Sequence, residues 1–136
     1  MRRVLVSSLL FAAGCGASLP QPRQAAPAPD SFIEVPYPPP AALSELIPKR
    51  PRGDVVFQDG GWTWRGRYFV WQRGGWVAPG ALRFCPWAFH YLDDGRAMFS
   101  PSHWVDARGV PVRPPVILVP SITPPNEVTA EFQTGR

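Results

Sequence analysis

The chain has 136 residues, a formal charge of +4 and 18% charged residues, which is the size of one ordinary domain. Sixteen of its nineteen prolines fall outside residues 54–109, whereas all six tryptophans, eight of twelve glycines and thirteen of seventeen aromatic residues fall inside. A small aromatic, glycine-punctuated core between two proline-rich flanks excludes a large α/β enzyme with a nucleotide crevice.

The chain opens on Met1-Arg2-Arg3, an apolar run over 4–13, and then Gly14, Cys15, Gly16, Ala17 and Ser18. A basic start, a ten-residue apolar stretch and small residues predict a signal peptide over 1–14; a membrane-spanning helix needs about twice that apolar length. Ala12-Ala13-Gly14-Cys15 resembles a bacterial lipobox, with Ala12 where leucine is usual. The resemblance implies that the chain is cut before Cys15 and that this cysteine carries diacylglycerol on its thiol and an acyl chain such as palmitate on its amine. Several chains hold a protein stably on a membrane where one does so only reversibly. The other reading is ordinary secretory cleavage near Ala17. Gly16 carries no acidic retention mark, which favours the outer over the inner membrane. Cys85 is then left without a disulfide partner. The arginines are scattered, so no nucleic-acid partner is expected.

Residues 15–53 are read as the lipidated cysteine followed by a tether. Ten prolines lie between 16 and 53, among them Pro38-Pro39-Pro40. Proline fixes φ and supplies no amide donor, so extended polyproline II is predicted, spanning on the order of 100 Å at about 3.1 Å per residue. Residues 41–47 are compatible with a short helix. The tracts fit a spacer better than a ligand for an SH3-type groove.

Between 54 and 109, short β-branched and aromatic runs alternate with Asp59-Gly60-Gly61, Arg65-Gly66, Arg73-Gly74-Gly75, Asp93-Asp94-Gly95 and Arg108-Gly109, all turn signals. Strands are expected near 54–58, 61–65, 67–72, 75–78, 83–92 and 96–105. No interval between them holds a crossover helix, so the fold class is all-β: a small antiparallel meander or barrel-like sheet between proline-rich, largely disordered flanks. Both faces carry rings, so either the sheet curls into a barrel or one aromatic face stays partly open. The tail, 110–136, is proline-rich and contributes a possible edge strand at 116–119. The rings alone do not offset the entropy of ordering this core, so that quartet or homo-oligomerisation must add burial.

The five-residue step from Trp71 to Trp76 recurs from Phe99 to Trp104, an internal repeat. Trp71-Gln72-Arg73-Gly74-Gly75-Trp76, led by Trp62-x-Trp64-x-Gly66-x-Tyr68 and trailed by Val77-Ala78-Pro79-Gly80, resembles the W-x-x-G-x-W repeat of small bacterial exported proteins and lipoproteins. The resemblance covers 61–80; the second copy lacks the glycine before Trp104. It implies a cell-envelope location and no catalytic residues.

Candidate chemistry is sparse. His90 with Asp93 and Asp94, or His103 with Asp106, matches no metal-ligand spacing, and Cys85 before Pro86 reads as a buried thiol rather than a nucleophile paired with His90 or His103. No enzyme activity, metal or cofactor is therefore expected; an envelope hydrolase using those histidines is the lesser alternative. Trp62, Trp64, Tyr68, Trp71 and Trp76 with Arg65, Arg67 and Arg73 form a candidate sugar-stacking surface for peptidoglycan, another envelope polysaccharide or an envelope protein. The competing reading makes the tryptophans the core of a purely structural envelope module.

Overall fold

The computed structural model describes residues 18–122; the expected leader, Cys15 and residues 123–136 lie outside the described residues. The described chain is almost entirely extended. Its strands are β1 (Ile33–Val35), β2 (Val56–Gln58), β3 (Gly61–Trp64), β4 (Phe69–Gln72), β5 (Gly75–Val77), β6 (Arg83–Cys85), β7 (Ala88–Tyr91), β8 (Ala97–Ser100), β9 (His103–Val105), β10 (Pro111–Val112) and β11 (Ile117–Pro120), with one 3₁₀ turn at Pro29–Ser31. All strand pairs are antiparallel, and the sheets are open rather than closed into a barrel.

The strands build two long kinked hairpins. In the first, β2 pairs with β5 and β3 with β4, so that Phe57 faces Trp76 and Trp62 faces Trp71. In the second, β6 pairs with β9 and β7 with β8, placing Phe84 opposite Trp104 and Phe89 opposite Phe99. One register runs through both halves of each hairpin. The steps from Trp71 to Trp76 and from Phe99 to Trp104 therefore occupy equivalent positions in two similarly built units. The meander is nested: each hairpin's outer strands pair with each other around the inner pair.

The interruptions have residue-level causes. The runs expected as single strands over 83–92 and 96–105 are each split in two, at Pro86 and Pro101, where no amide is available to the ladder. The first hairpin breaks at Asp59–Gly60 and Arg73–Gly74 instead. A Cβ on Gly74 would collide with the Gln58 carbonyl oxygen and lie 2.6 Å from the Gly60 nitrogen, so only glycine permits this approach. The closed ends use Gly66 (φ 83°) and Gly95 (φ 85°), with Arg65 N–H donating to Tyr68 O and Leu92 N–H to Arg96 O, both at 2.9 Å.

The proline-rich stretch is extended, as its composition dictates, but lies along the hairpins. Its strand β1 pairs with β8. Pro20 O accepts from Phe57 N and Arg23 O from Phe84 N, each at 2.8 Å, so one short segment lines the equivalent outer strands of both hairpins. Residues 41–47 form no helix; Leu46 pairs with Ile122 across an antiparallel bridge. At the opposite edges, β10 lies on β9 and β11 on β5.

Three apolar clusters follow from this layout. Val35, Trp62, Phe69, Ala97 and Phe99 pack between the inner strand pairs. Val55, Phe57 and Trp76, covered by Leu19 and Val119, fill the outer half of the first hairpin. Val77 of β5 packs with Phe84 and Trp104 of the second hairpin and so joins the outer halves of the two. The rings meet edge to face, Phe57 on Trp76 at 5.4 Å and Trp62 on Trp71 at 5.1 Å between centroids, an arrangement worth about 1 kcal/mol beyond area burial.

Candidate functional site

Of the eight residues proposed from sequence as a ligand surface, four gather at the closed end of the first hairpin. Trp64 ends β3, Arg65, Gly66 and Arg67 make the turn, and Tyr68 leads into β4. Arg65, Arg67 and Tyr68 are exposed, Tyr68 by 58%, and Trp64 is half-buried. Neither arginine forms an ion pair with a described residue. Tyr37, from the proline-rich flank, joins them: its hydroxyl donates to Arg67 O at 2.5 Å, and its ring stands edge-on to Trp64 at 5.3 Å and Phe69 at 5.8 Å. The result is a cationic turn beside two exposed phenol rings, able to stack on a sugar face and to donate to an anion.

The other ring candidates are spent internally. Trp62 and Trp76 are 1% and 2% exposed and offer no face to a ligand. Their indole N–H groups donate to Ala41 O at 3.3 Å and Pro48 O at 2.8 Å. Trp71, half-buried, donates to Glu45 Oε1 at 3.0 Å, and Trp104 donates to Gln58 Oε1 at 3.0 Å. Arg73 is exposed at the far end of β4, separated from Arg65 and Arg67 by the length of that strand, beside a cleft of about 330 Å³ shared with Gln58 and Trp104. The arginine over a tryptophan is Arg50, 5.9 Å from the Trp76 ring centroid.

Glu45 was not singled out by sequence, yet it organises the break in the first hairpin. Oε2 accepts from Gly60 N at 3.0 Å, and Oε1 accepts from Gly74 N at 3.1 Å and Ser121 Oγ at 2.7 Å, besides the Trp71 indole. The carboxylate thus takes the amides that the interrupted ladder leaves without partners. Burial, and secondarily the Glu45 carboxylate, hold the Asp59 carboxyl above the ordinary range. Both acids line a cavity of about 300 Å³ with Trp71 and Trp87.

The remaining chemical candidates are dispersed. Cys85 and His103 face each other across β6 and β9, but Cys85 is buried and its thiol contacts Ala26 O at 3.7 Å. Burial pushes that thiol up, against a smaller opposing pull from Arg83, which is the reverse of an activated nucleophile. His103 Nδ1 lies 2.9 Å from Pro101 O. His90 is exposed, its ring packed on Phe32 at 4.7 Å. Asp94 pairs with Arg96 at 2.8 Å, and Asp106 accepts from Arg108 N and Val110 N, so both acids close turns. Among the described residues, no three His, Cys, Asp or Glu side chains come together as a metal site would need. A cleft of about 740 Å³ lies between residues 24–31 and the β6–β9 edge and is lined by Arg83, His103, Arg108 and Asp30.

Tyr37 and Glu45 escaped the sequence reading because both sit in the proline-rich flank. The alternation Ile33-Glu34-Val35 is a strand signal that would have marked this flank as part of the sheet. Comparison with family models, with curated proteins and with solved structures finds no match for this chain.

Proposed function

We propose that this is an exported, non-catalytic lipoprotein of the cell envelope, most consistent with the outer membrane, anchored through Cys15 and using the closed end of its first hairpin to bind cell-wall glycan or another anionic envelope polymer. The anchor rests on the basic start, the apolar run over 4–13 and the lipobox-like Ala12-Ala13-Gly14-Cys15. The binding reading is carried by one observation: Tyr68 and Tyr37 stand exposed beside Arg65 and Arg67, which no described acid neutralises.

The test has two parts. Mass spectrometry of the tryptic peptide 15–23 from a detergent-extracted membrane fraction, beside a Cys15→Ser control, is expected to give an acylated amino-terminal cysteine; a chain starting after Cys15 refutes the anchor. Retention of the chain on insoluble cell-wall glycan is expected to fall several-fold in a Tyr68→Ala, Arg65→Gln, Arg67→Gln variant with an unchanged melting temperature. Undiminished retention refutes the site.

A second reading, a purely structural envelope module, is favoured by the burial of Trp62, Trp76 and Trp104 and by the internal partners of four indoles. Absence of any retention by the native chain selects it.

A further inference from the structure

Six of the exposed large aliphatic side chains lie on two segments that meet. Leu46 and Ile47 come from the amino-terminal flank, and Val116, Ile117, Leu118 and Ile122 from the carboxy-terminal one, with Val116 75% and Leu46 59% exposed. The Leu46–Ile122 bridge joins them through N–H···O bonds of 2.8 and 3.1 Å. β11 is an edge strand, and its register on β5 slips between Ile117 and Val119. Val119 turns inward onto Phe57 and Trp76, whereas Leu118 beside it is 52% exposed.

The charge within these two segments has one sign, with Glu45 and Asp54 flanking the first. Residues 46–53 and 110–122 contain Lys49, Arg50, Arg52 and Arg113, all exposed, and no carboxylate. Arg50 is partly committed to Val55 O at 3.2 Å; the others make no ion pair with a described residue. Aliphatic side chains flanked by cations are the composition of a surface that enters the headgroup region of an anionic bilayer.

The start of the folded body lies in the same sheet, along β2 at the edge opposite β11. Leu19 packs on the cluster of Val55, Phe57 and Trp76 that Val119 of β11 also covers, and Pro20 O accepts from Phe57 N. Leu19 is the fourth residue after Cys15, a reach of at most about 14 Å. An anchor on Cys15 cannot hold the body far from the lipid.

We propose that the face formed by Leu46, Ile47, β11 and Ile122, with Lys49, Arg52 and Arg113 at its rim, rests directly in the interface of an anionic lipid bilayer, so that the protein is a membrane-seated module rather than a domain on a long tether. The proposal rests on the lipidated Cys15 of the preceding section for its orientation.

The test uses the mature lipidated chain in vesicles of phosphatidylethanolamine and phosphatidylglycerol, carrying an environment-sensitive fluorophore on Leu118→Cys or, at the closed end of the same hairpin, on Tyr68→Cys, each with Cys85→Ser. The label at 118 is expected to be quenched several-fold more strongly by lipids bearing shallow doxyl groups than the label at 68; equal quenching overturns the proposal. The full mature chain with Cys15→Ser, added to the same vesicles, reads the face without the anchor. Its flotation is expected to weaken about fivefold for each of Lys49→Gln and Arg52→Gln and to vanish with Leu118→Asp. Failure to float at low salt overturns the proposal, whereas an unacylated 15–23 peptide from the native protein overturns only the anchor. Burial of the 118 label in the absence of lipid, with dimers in sedimentation, shows a second copy on this face and also overturns it.

Discussion

The indole N–H of Trp71 donates to Glu45 Oε1 at 3.0 Å across a sequence separation of 26 residues. That contact ties the aromatic hairpin to the proline-rich flank, and the same carboxylate receives Gly60 N, Gly74 N and Ser121 Oγ. Glu45→Ala would leave four donors without their acceptor. Each half-buried donor so orphaned costs up to about 1 kcal/mol, and water recovers part of this, so the expected loss is about 3 kcal/mol, or roughly 10–20 °C in melting temperature. Thermal denaturation followed by tryptophan fluorescence measures it; a change within a degree or two would show that the network contributes nothing net.

Gly74→Ala is expected to be as damaging, through sterics alone. The new methyl meets backbone of Gln58, Asp59 and Gly60, which cannot move without opening the hairpin. Gly66→Ala meets nothing within 4 Å and strains only the positive φ, costing about 1 kcal/mol. Urea titrations of the two variants should therefore differ in midpoint by well over the smaller effect.

Asp59 and Asp106 are expected to shift stability with pH in opposite senses. Burial and Glu45 raise the Asp59 carboxyl, so the folded chain holds this proton more tightly than the unfolded chain does. Its contribution is unfavourable at neutral pH and the penalty disappears as pH falls from the raised value through the ordinary carboxylate range. Asp59→Asn should raise the melting temperature at pH 7 and lose that advantage near pH 3. Hydrogen bonds from the amides of Val110 and Arg108 lower the Asp106 carboxyl. Its contribution is present above the ordinary carboxylate value and lost as pH falls through the lowered one. Asp106→Asn should destabilise at pH 7 and converge with the native chain in acid.

A chain beginning at residue 54 is expected not to fold. It lacks Ala41 O, Glu45 and Pro48 O for the indoles of Trp62, Trp71 and Trp76, Leu19 for the Phe57 cluster and the β1 partner of β8. Far-ultraviolet circular dichroism and proton chemical-shift dispersion would report a disordered chain, and a cooperative unfolding transition would refute the expectation.

The all-β class, its antiparallel pairing and most turn positions were legible because glycine pairs and alternating rings speak locally. Asp93-Asp94-Gly95 and Arg65-Gly66 stand at the two closed ends as their turn chemistry requires. The split of the last two strands was also written in the sequence, at Pro86 and Pro101, but a run of apolar residues masks one missing amide. The flank was harder for a physical reason. Proline content announces extended backbone and the loss of donors, yet each proline keeps its carbonyl. A segment such as 41–48 is thus a row of acceptors, and the complementary donors are indoles whose positions depend on the tertiary fold. At the candidate site, Arg65, Arg67 and Tyr68 were readable from a turn flanked by rings, whereas Tyr37 reaches them only because β1 adds to β8. Trp62 and Trp76 could not be told from surface rings, since stacking platforms and cores draw on the same residue type.

The strapping of both hairpins by the two ends of the chain has a kinetic side. Cys85 reaches Ala26 across 59 residues and Ser121 reaches Glu45 across 76, so the closing contacts are among the most distant in the sequence. Loop closure of that length slows folding, and Glu45 and Leu46 lack their full set of partners until Ser121 and Ile122 are available. The strap of the first hairpin by residues 45–46 is thus completed only when the last described strand arrives.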